Sequence, residues 1–184
     1  MTPEVLAACL NVPMARARIW ADPLSAAMAL YSIEGMVSQA AFIAQVGHES
    51  GRLVYVRELW GPTKTQQLYE PQSEKATELG NTERGDGFRF RGRGLIQVTG
   101  RANYRRCASA LGIDLISHPE LLEEPGNASL SAAWFWTSHG LSQLAEQGDF
   151  TTITKRINGG LNGLQDRLAL WKLAKAALGA NDGT

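Results

Sequence analysis

Apolar residues recur along most of the chain at the three-and-four spacing of amphipathic helices. Thr2-Pro3 and Asp22-Pro23 each read as a capping residue followed by proline at the first helical position, so helices are predicted over residues 3–10, 13–20 and 23–33. A further helix is predicted from Met36 to Glu49, with Val37, Ala40, Ala41, Ala44 and Val46 as its apolar face and Gly51 as its stop. Residues 56–90 break the pattern: they hold Pro62, Pro71, four glycines and many polar residues, and read as loops with one or two short helices. Phe88 to Thr99 begins by alternating aromatic residues with arginines, which predicts a short extended stretch. Helices resume over 101–111, 118–124 and 127–139, then from an Asp149 cap to Ile157, and finally over 164–178 after the Asn158-Gly159-Gly160 break. No strand–helix–strand alternation is present, so the class is all-α.

Composition narrows this picture only a little. A length of 184 residues, 44% of them hydrophobic, suits one domain with a sizeable core. The formal net charge is zero, which excludes a polybasic coat or an acidic tail as the main feature. Cys9 and Cys107 lie far apart without metal spacing and read as two reduced, buried thiols. The start, Met1-Thr2-Pro3-Glu4, has no basic leader, and no run of about 18 apolar residues occurs, so the expectation is a protein made in the cytoplasm without stable membrane insertion.

Chemistry enters at Gly47-His48-Glu49-Ser50-Gly51. A His-Glu pair suggests half of a zinc-hydrolase motif, which needs a second histidine three residues after the glutamate. Position 52 is Arg52, and His118 and His139 lack ligand spacing, so no metal or other cofactor is expected. Glu49 ends a largely apolar helix, where burial raises a carboxyl pKa; by itself it reads more readily as a structural ion pair. Glu58 changes the balance. On one straight helix, nine residues would set the two carboxylates about 13.5 Å apart on opposite faces. A break at Ser50-Gly51 instead lets the chain fold back and face both toward one groove. Glycoside hydrolysis needs such a pair, one protonated and one ionised. Arg84 to Arg106 holds seven arginines and one acid, Asp86. That run reads as a nucleic-acid segment, as a solvated basic face, or as a groove wall in which glycines permit close approach and Gln97, Thr99 and Asn103 offer neutral hydrogen bonds.

The runs GHESG, GDGFRFRGRGLIQVTGRANY and RINGGLNG, with the Asp166-Arg167 pair of the last helix, resemble glycoside hydrolase family nineteen over about Ala40 to Leu178. That family holds plant-type chitinases and lysozyme-like endolysins, and the chain looks closest to the compact endolysins of phages and prophages. The resemblance implies Glu49 as general acid, Glu58 as general base and Thr99 as the hydroxyl that holds the attacking water. It implies Gln97, Asn103 and Asn158 as substrate contacts and Arg167 as the partner of the acid. At Asn162 the chain departs from chitinases, which often carry a glutamate there. A Trp-Phe-Trp run on a helix reads as core, so Trp60 and Tyr104 are placed at the groove ahead of Trp134. His48 is expected to be a supporting residue.

The resulting expectation is an all-α, lysozyme-like single catalytic domain. A large lobe would comprise about 1–58 and 88–184, and a small lobe about 59–87, with the cleft between them. The implied reaction is inverting hydrolysis of the β-1,4 bond between N-acetylmuramic acid and N-acetylglucosamine, with carboxyl groups about 6.5–9.5 Å apart. Peptidoglycan glycan strands would be the partner, not nucleic acid. The protein would be a monomer, held in the cytoplasm of a phage or prophage host until a holin or membrane damage gives it access to the periplasmic wall. The segment GPTKTQQLYEP favours cell wall over the alternative of chitin. A non-catalytic glycan- or nucleic-acid-binding module is the alternative of another class.

Overall fold

The computed structural model describes residues 1–180. Its helices are α1 (Pro3–Leu10), α2 (Met14–Leu30), α3 (Met36–Glu49), α4 (Lys64–Gln67), α5 (Glu74–Leu79), α6 (Asp86–Arg89), α7 (Arg101–Leu111), α8 (Pro125–Ser138), α9 (Leu141–Glu146), α10 (Phe150–Asn158) and α11 (Leu164–Leu178), with a 3-10 turn at Pro119–Glu123. The described residues are therefore all-α, and extended backbone pairing is confined to two isolated bridges.

The organising element is α3. Every residue from Ala40 to Gly47 is buried, so this helix is enclosed on all sides rather than on one face. It packs against α11, α9 and α1, while α2 closes against α1 and α8. Phe42 meets the fully buried Trp136 of α8 edge to face at 5.5 Å. A second, smaller cluster joins Phe90, Val98, Tyr104, Cys107, Leu115 and Leu122 beneath α7 and the 3-10 turn.

Several sequence expectations are corrected. The helices expected over 13–20 and 23–33 are one: α2 (Met14–Leu30) runs through Pro23. Trp20, Ala21, Leu24, Ala27 and Met28 are all buried, so continuous burial on both sides of the proline outweighs the one helical hydrogen bond it removes. The missing donor would have served Ile19, which lies on the exposed side. Phe88 and Arg89 are helical rather than extended. Residues 119–123 form a 3-10 turn, and α9 occupies a segment where no helix was expected. Cys9 and Cys107 are free and buried, and burial pushes their thiols up to about 11 and about 12.

Asp86 locks the segment before the arginine-rich run. Its Oδ2 accepts from the Thr82 and Glu83 amides and from Arg101 Nε, while Oδ1 accepts from Arg101 Nη2 at 2.6 Å. Burial acts to raise its pKa, but these donors outweigh it and hold the carboxyl below the usual aspartate range. A depressed folded-state pKa contributes stability above the unfolded value and loses it as the pH falls through the folded one. Asp86→Asn is therefore expected to be less stable than wild type at neutral pH. The gap should close in acid, as measured by urea denaturation across pH; a pH-independent gap would contradict the pairing.

Candidate active site

Glu49 is the last residue of α3, and its side chain is one-fifth exposed. Its Oε1 accepts from Arg167 Nη2 at 2.5 Å. Arg167, on α11 and only 2% exposed, also donates through Nη1 to Gln45 Oε1 and through Nε to the Asn162 carbonyl. Gln45 in turn donates to Thr154 Oγ1, and Thr154 donates to the Phe150 carbonyl. Gln45 and Glu49 share one face of α3 by their four-residue spacing. A buried polar chain thus runs from α10 through α3 and α11 and ends at Glu49. No protein donor reaches Glu49 Oε2 among the described residues. Asn158 joins this side, since its Nδ2 also donates to the Asn162 carbonyl. Asn162 acts here through its main chain, so the arginine is bound at a position where the side chain differs from the chitinase pattern. His48 points to Asp166, with Nδ1 2.6 Å from Oδ2, and its ring is so close to Gly163 that a Cβ there would lie 2.3 Å away.

After Glu49 the chain turns on Gly51, Arg52 and Leu53, all with left-handed φ (56°, 60° and 65°). Two consecutive non-glycine residues in that region cost roughly 1–2 kcal/mol each. The turn is held by the Leu53 amide on Ser50 Oγ, by Arg16 on the Arg52 carbonyl, and by burial of Leu53. A Cβ on Gly51 would strike the Tyr55 ring at 2.7 Å. The reversal sends residues 56–58 alongside 92–94: the Gly94 amide donates to the Val56 carbonyl, and the Glu58 amide donates to the Gly92 carbonyl. Arg93 then pairs with Val98 on its other side.

This narrow ladder fixes Glu58. Its Oε2 accepts from the Gly92 amide at 3.0 Å, and Oε1 accepts from Gln66 Nε2 at 2.9 Å. Gln66 is itself saturated: Nε2 also donates to the Leu59 carbonyl, while Oε1 accepts from the Gly61 and Thr63 amides. Tyr69 faces the same carboxylate; burial first, and the charge of Glu58 second, push its hydroxyl pKa up.

Gly92 also connects Glu58 to the groove wall. A Cβ at Gly92 would sit 2.6 Å from Gln97 Oε1 and 3.2 Å from Thr99 Oγ1, so the glycine is what lets these groups close on one another. Thr99 donates to the Gln97 carbonyl, and Asn103 Nδ2 donates to the Thr99 carbonyl. Gln97 has a left-handed φ of 56° and is braced by its own side chain on the Gly94 carbonyl. Gln97, Thr99 and Asn103 line a cleft of about 240 Å³ together with Trp134 and Phe135. Trp60 lies outside this cleft lining, packed edge to face on Phe88 at 5.6 Å.

Two aromatic expectations are corrected. Tyr104 is 0% exposed: its hydroxyl donates to the Arg91 carbonyl and accepts from Arg93, and its ring packs on Phe90, so it supports the wall from behind and cannot touch a glycan. Trp134, read as core, borders the cleft, while Trp136 two residues later is the core residue. Gln45, Gln66 and Gly92 were not singled out. Gln45 carried a signal, being a polar residue inside an apolar helix four residues before Glu49. Gln66 carried only the Thr63-x-x-Gln66 capping-box spacing.

Among the described residues no group of histidine, cysteine and carboxylate side chains gathers as a metal site, and no helix is long and apolar enough to cross a membrane.

The family model of glycoside hydrolase family 19, described as chitinase class I, matches residues 36–149. A glycosyl hydrolase family 19 domain-containing protein of Haemophilus influenzae is 37% identical over 162 residues, covering 74% of this chain and 78% of its own. Endochitinase EP3 of Arabidopsis thaliana is 34% identical over 124 residues, covering 66% of this chain but 41% of its own. A bacterial family 19 chitinase superimposes with a TM-score of 0.73 at 24% identity, over 99% of this chain and 96% of that one, which establishes the common fold. The all-α, lysozyme-like architecture and the matching family model thus define a glycoside hydrolase of chitinase type. The chain belongs to glycoside hydrolase family 19.

Arg167→Met would strip Glu49 and Gln45 of their shared donor inside the protein. The expected cost is about 3 kcal/mol of stability, measured by urea denaturation. A double-mutant cycle with Glu49→Gln should show coupling between the two sites; additive effects would mean that the pair carries no interaction energy.

Proposed function

We propose that this chain hydrolyses the β-1,4 bond between N-acetylmuramic acid and N-acetylglucosamine in peptidoglycan, with inversion at the anomeric carbon. The observation that carries the reaction type is the junction at Gly92, where the Glu58 carboxylate, the Thr99 hydroxyl and the Gln97 amide converge beside an open cleft. In this reading Glu49 is the general acid. Its Oε2 bears the proton for the leaving oxygen, and Arg167 on Oε1 receives the negative charge left behind. Glu58 is the general base, kept in position by the Gly92 amide and Gln66.

Thr99 fixes the water by elimination of roles. A threonine hydroxyl has one proton, and here it is donated to the Gln97 carbonyl. Toward a water, Thr99 Oγ1 can therefore only accept. The water gives one hydrogen to Thr99 and the other to Glu58, which leaves its lone pair for the anomeric carbon. Gln97, Asn103 and Asn158 are assigned to glycan contacts, with Trp134 taking the place given to Tyr104. His48 supports the acid's helix end through Asp166. We assign residues 59–87 as the small lobe, which carries the clamp on Glu58.

Peptidoglycan is favoured by the endolysin-like segment GPTKTQQLYEP, which forms α4 and supplies Gln66 to the base. We further propose action as a monomer on the bacterial wall, with passage from the cytoplasm aided by a holin. Hydrolysis of chitin is the second reading, favoured by the chitinase names of the plant relatives and of the superimposed structure. Analysis of products separates the two. Digested sacculi should yield reducing N-acetylmuramic acid ends by mass spectrometry, initially of inverted configuration by NMR. Reducing N-acetylglucosamine ends from sacculi would move the cut to the other glycosidic bond of the strand, and turnover of chitin oligomers alone would transfer the assignment to chitin.

Glu49→Gln is expected to abolish lysis while the protein stays folded, and Glu58→Gln to lower kcat by about 10²–10⁴-fold. Lytic activity at the wild-type level in either variant would remove that residue from its role. Gln66→Glu keeps the acceptor for the Gly61 and Thr63 amides but turns a carboxyl toward Glu58. Two carboxyl groups in one site raise the pKa of one of them, and the base must be ionised. The acid limb of the kcat/KM profile should therefore move to higher pH, by roughly one unit. An unmoved limb would separate Gln66 from the base.

A further inference from the structure

The cleft that begins at Thr99 continues beyond the groups the reaction requires. Asn103 binds the Thr99 carbonyl, and Arg106, three residues further along α7, lies on the same helix face and lines the same cleft. Opposite stand Trp134, Phe135 and His139. The His139 ring stacks on Phe135 at 3.9 Å, with Nδ1 2.8 Å from the Phe135 carbonyl. Nδ1 also lies 3.1 Å from Ser138 Oγ.

Charge sets this end apart. No aspartate or glutamate lines the cleft. Four arginines of the same run are spent on the protein itself: Arg89 on the Ile116 carbonyl, Arg91 on the Phe88 carbonyl, Arg93 on Glu123 and Arg101 on Asp86. The Arg106 guanidinium has no protein partner among the described residues. A neutral polysaccharide would use the amides of Gln97 and Asn103 and the face of Trp134 but would leave this cation idle. A planar, five-donor guanidinium beside an aromatic wall suits a carboxylate held at fixed distance from a sugar ring.

We infer that the Arg106 end of the cleft is a subsite for a carboxylate-bearing substituent of the glycan, which makes Arg106 the residue that separates anionic, muramic-acid-type strands from neutral chitin. This rests on the peptidoglycan reading above. The carboxylate has two sources in such strands: the peptide stem, wherever one is amide-linked to the lactyl group, or the lactyl group itself once the stem is removed.

The test compares wild type with Arg106→Gln and Arg106→Lys on intact sacculi, on sacculi stripped of stems by an amidase, and on neutral glycol chitin. Arg106→Gln should lower kcat/KM on intact sacculi about tenfold, chiefly through KM. Its turnover of glycol chitin and its thermal midpoint should match wild type. Arg106→Lys should recover part of the loss, since it restores charge without the planar fork. A loss that disappears on stripped strands assigns the stem carboxylate, and one that persists shows that the subsite also takes the lactyl carboxylate that the amidase frees. Unchanged activity on sacculi, or equal losses on sacculi and glycol chitin, would overturn the subsite. Wild type that fails to cleave sacculi at all would instead overturn the peptidoglycan reading on which it stands.

Discussion

The arrangement depends on one buried cation. Arg167 enters the protein from α11 at 2% exposure and divides its donors among Gln45, Glu49 and the Asn162 carbonyl. A guanidinium in that position is tolerable only if its donors are met, because an unpaired buried charge costs several kcal/mol. Meeting them forces three things together: the enclosed helix α3, the last helix α11 and the loop between α10 and α11. The same requirement holds the Glu49 carboxylate in place through its Oε1. The buried Gln45–Thr154 bond extends this constraint to α10, so the end of α3 is held from two sides.

The opposing wall is built on different physics. No large sheet or long helix carries Glu58; a few main-chain hydrogen bonds do, with Gly92 at their centre. A Cβ at Gly92 would displace the Gln97 amide, 2.6 Å away, and crowd the Thr99 hydroxyl at 3.2 Å. Left-handed backbone at Arg52, Leu53 and Gln97 shows how tightly this part of the chain is bent. Such conformations persist where neighbouring contacts over-determine them, and here they cluster around the two acidic residues. Gln66 completes the wall by using every hydrogen-bonding position of its amide, which leaves its orientation no freedom.

The arginine-rich run illustrates how one stretch divides its labour. Arg91 and Arg93 face inward and brace Tyr104, Arg101 anchors the segment before it through Asp86, and Arg106 borders open space. Read as sequence, these residues were equivalent and allowed nucleic-acid, solvated and groove readings alike. Their separation into structural and available cations comes from the direction each side chain takes off a bent backbone.

Local chemistry was legible in the residues themselves. The bounds of α3, α7 and α11 and the turn at Gly51 follow from apolar spacing, stop signals and glycine placement, which act over a few residues. Where the outcome depended on distant partners, the sequence was silent or misleading. Pro23 reads as a helix start, yet burial on both sides carries α2 through it. Tyr104 reads as a groove residue, yet Arg91 and Phe90 enclose it, while Trp134 rather than Trp136 meets the cleft. Gln45 and Gln66 gain their roles only when Arg167, from α11, and Glu58, eight residues back, are brought against them. The sequence by itself determined where α3, α7 and α11 begin and end and where the chain turns back at Gly51. The tertiary structure decided which groups hold Glu49 and Glu58 in place and which face the ligand, because burial and hydrogen-bond partnership belong to pairs of elements and not to either one alone.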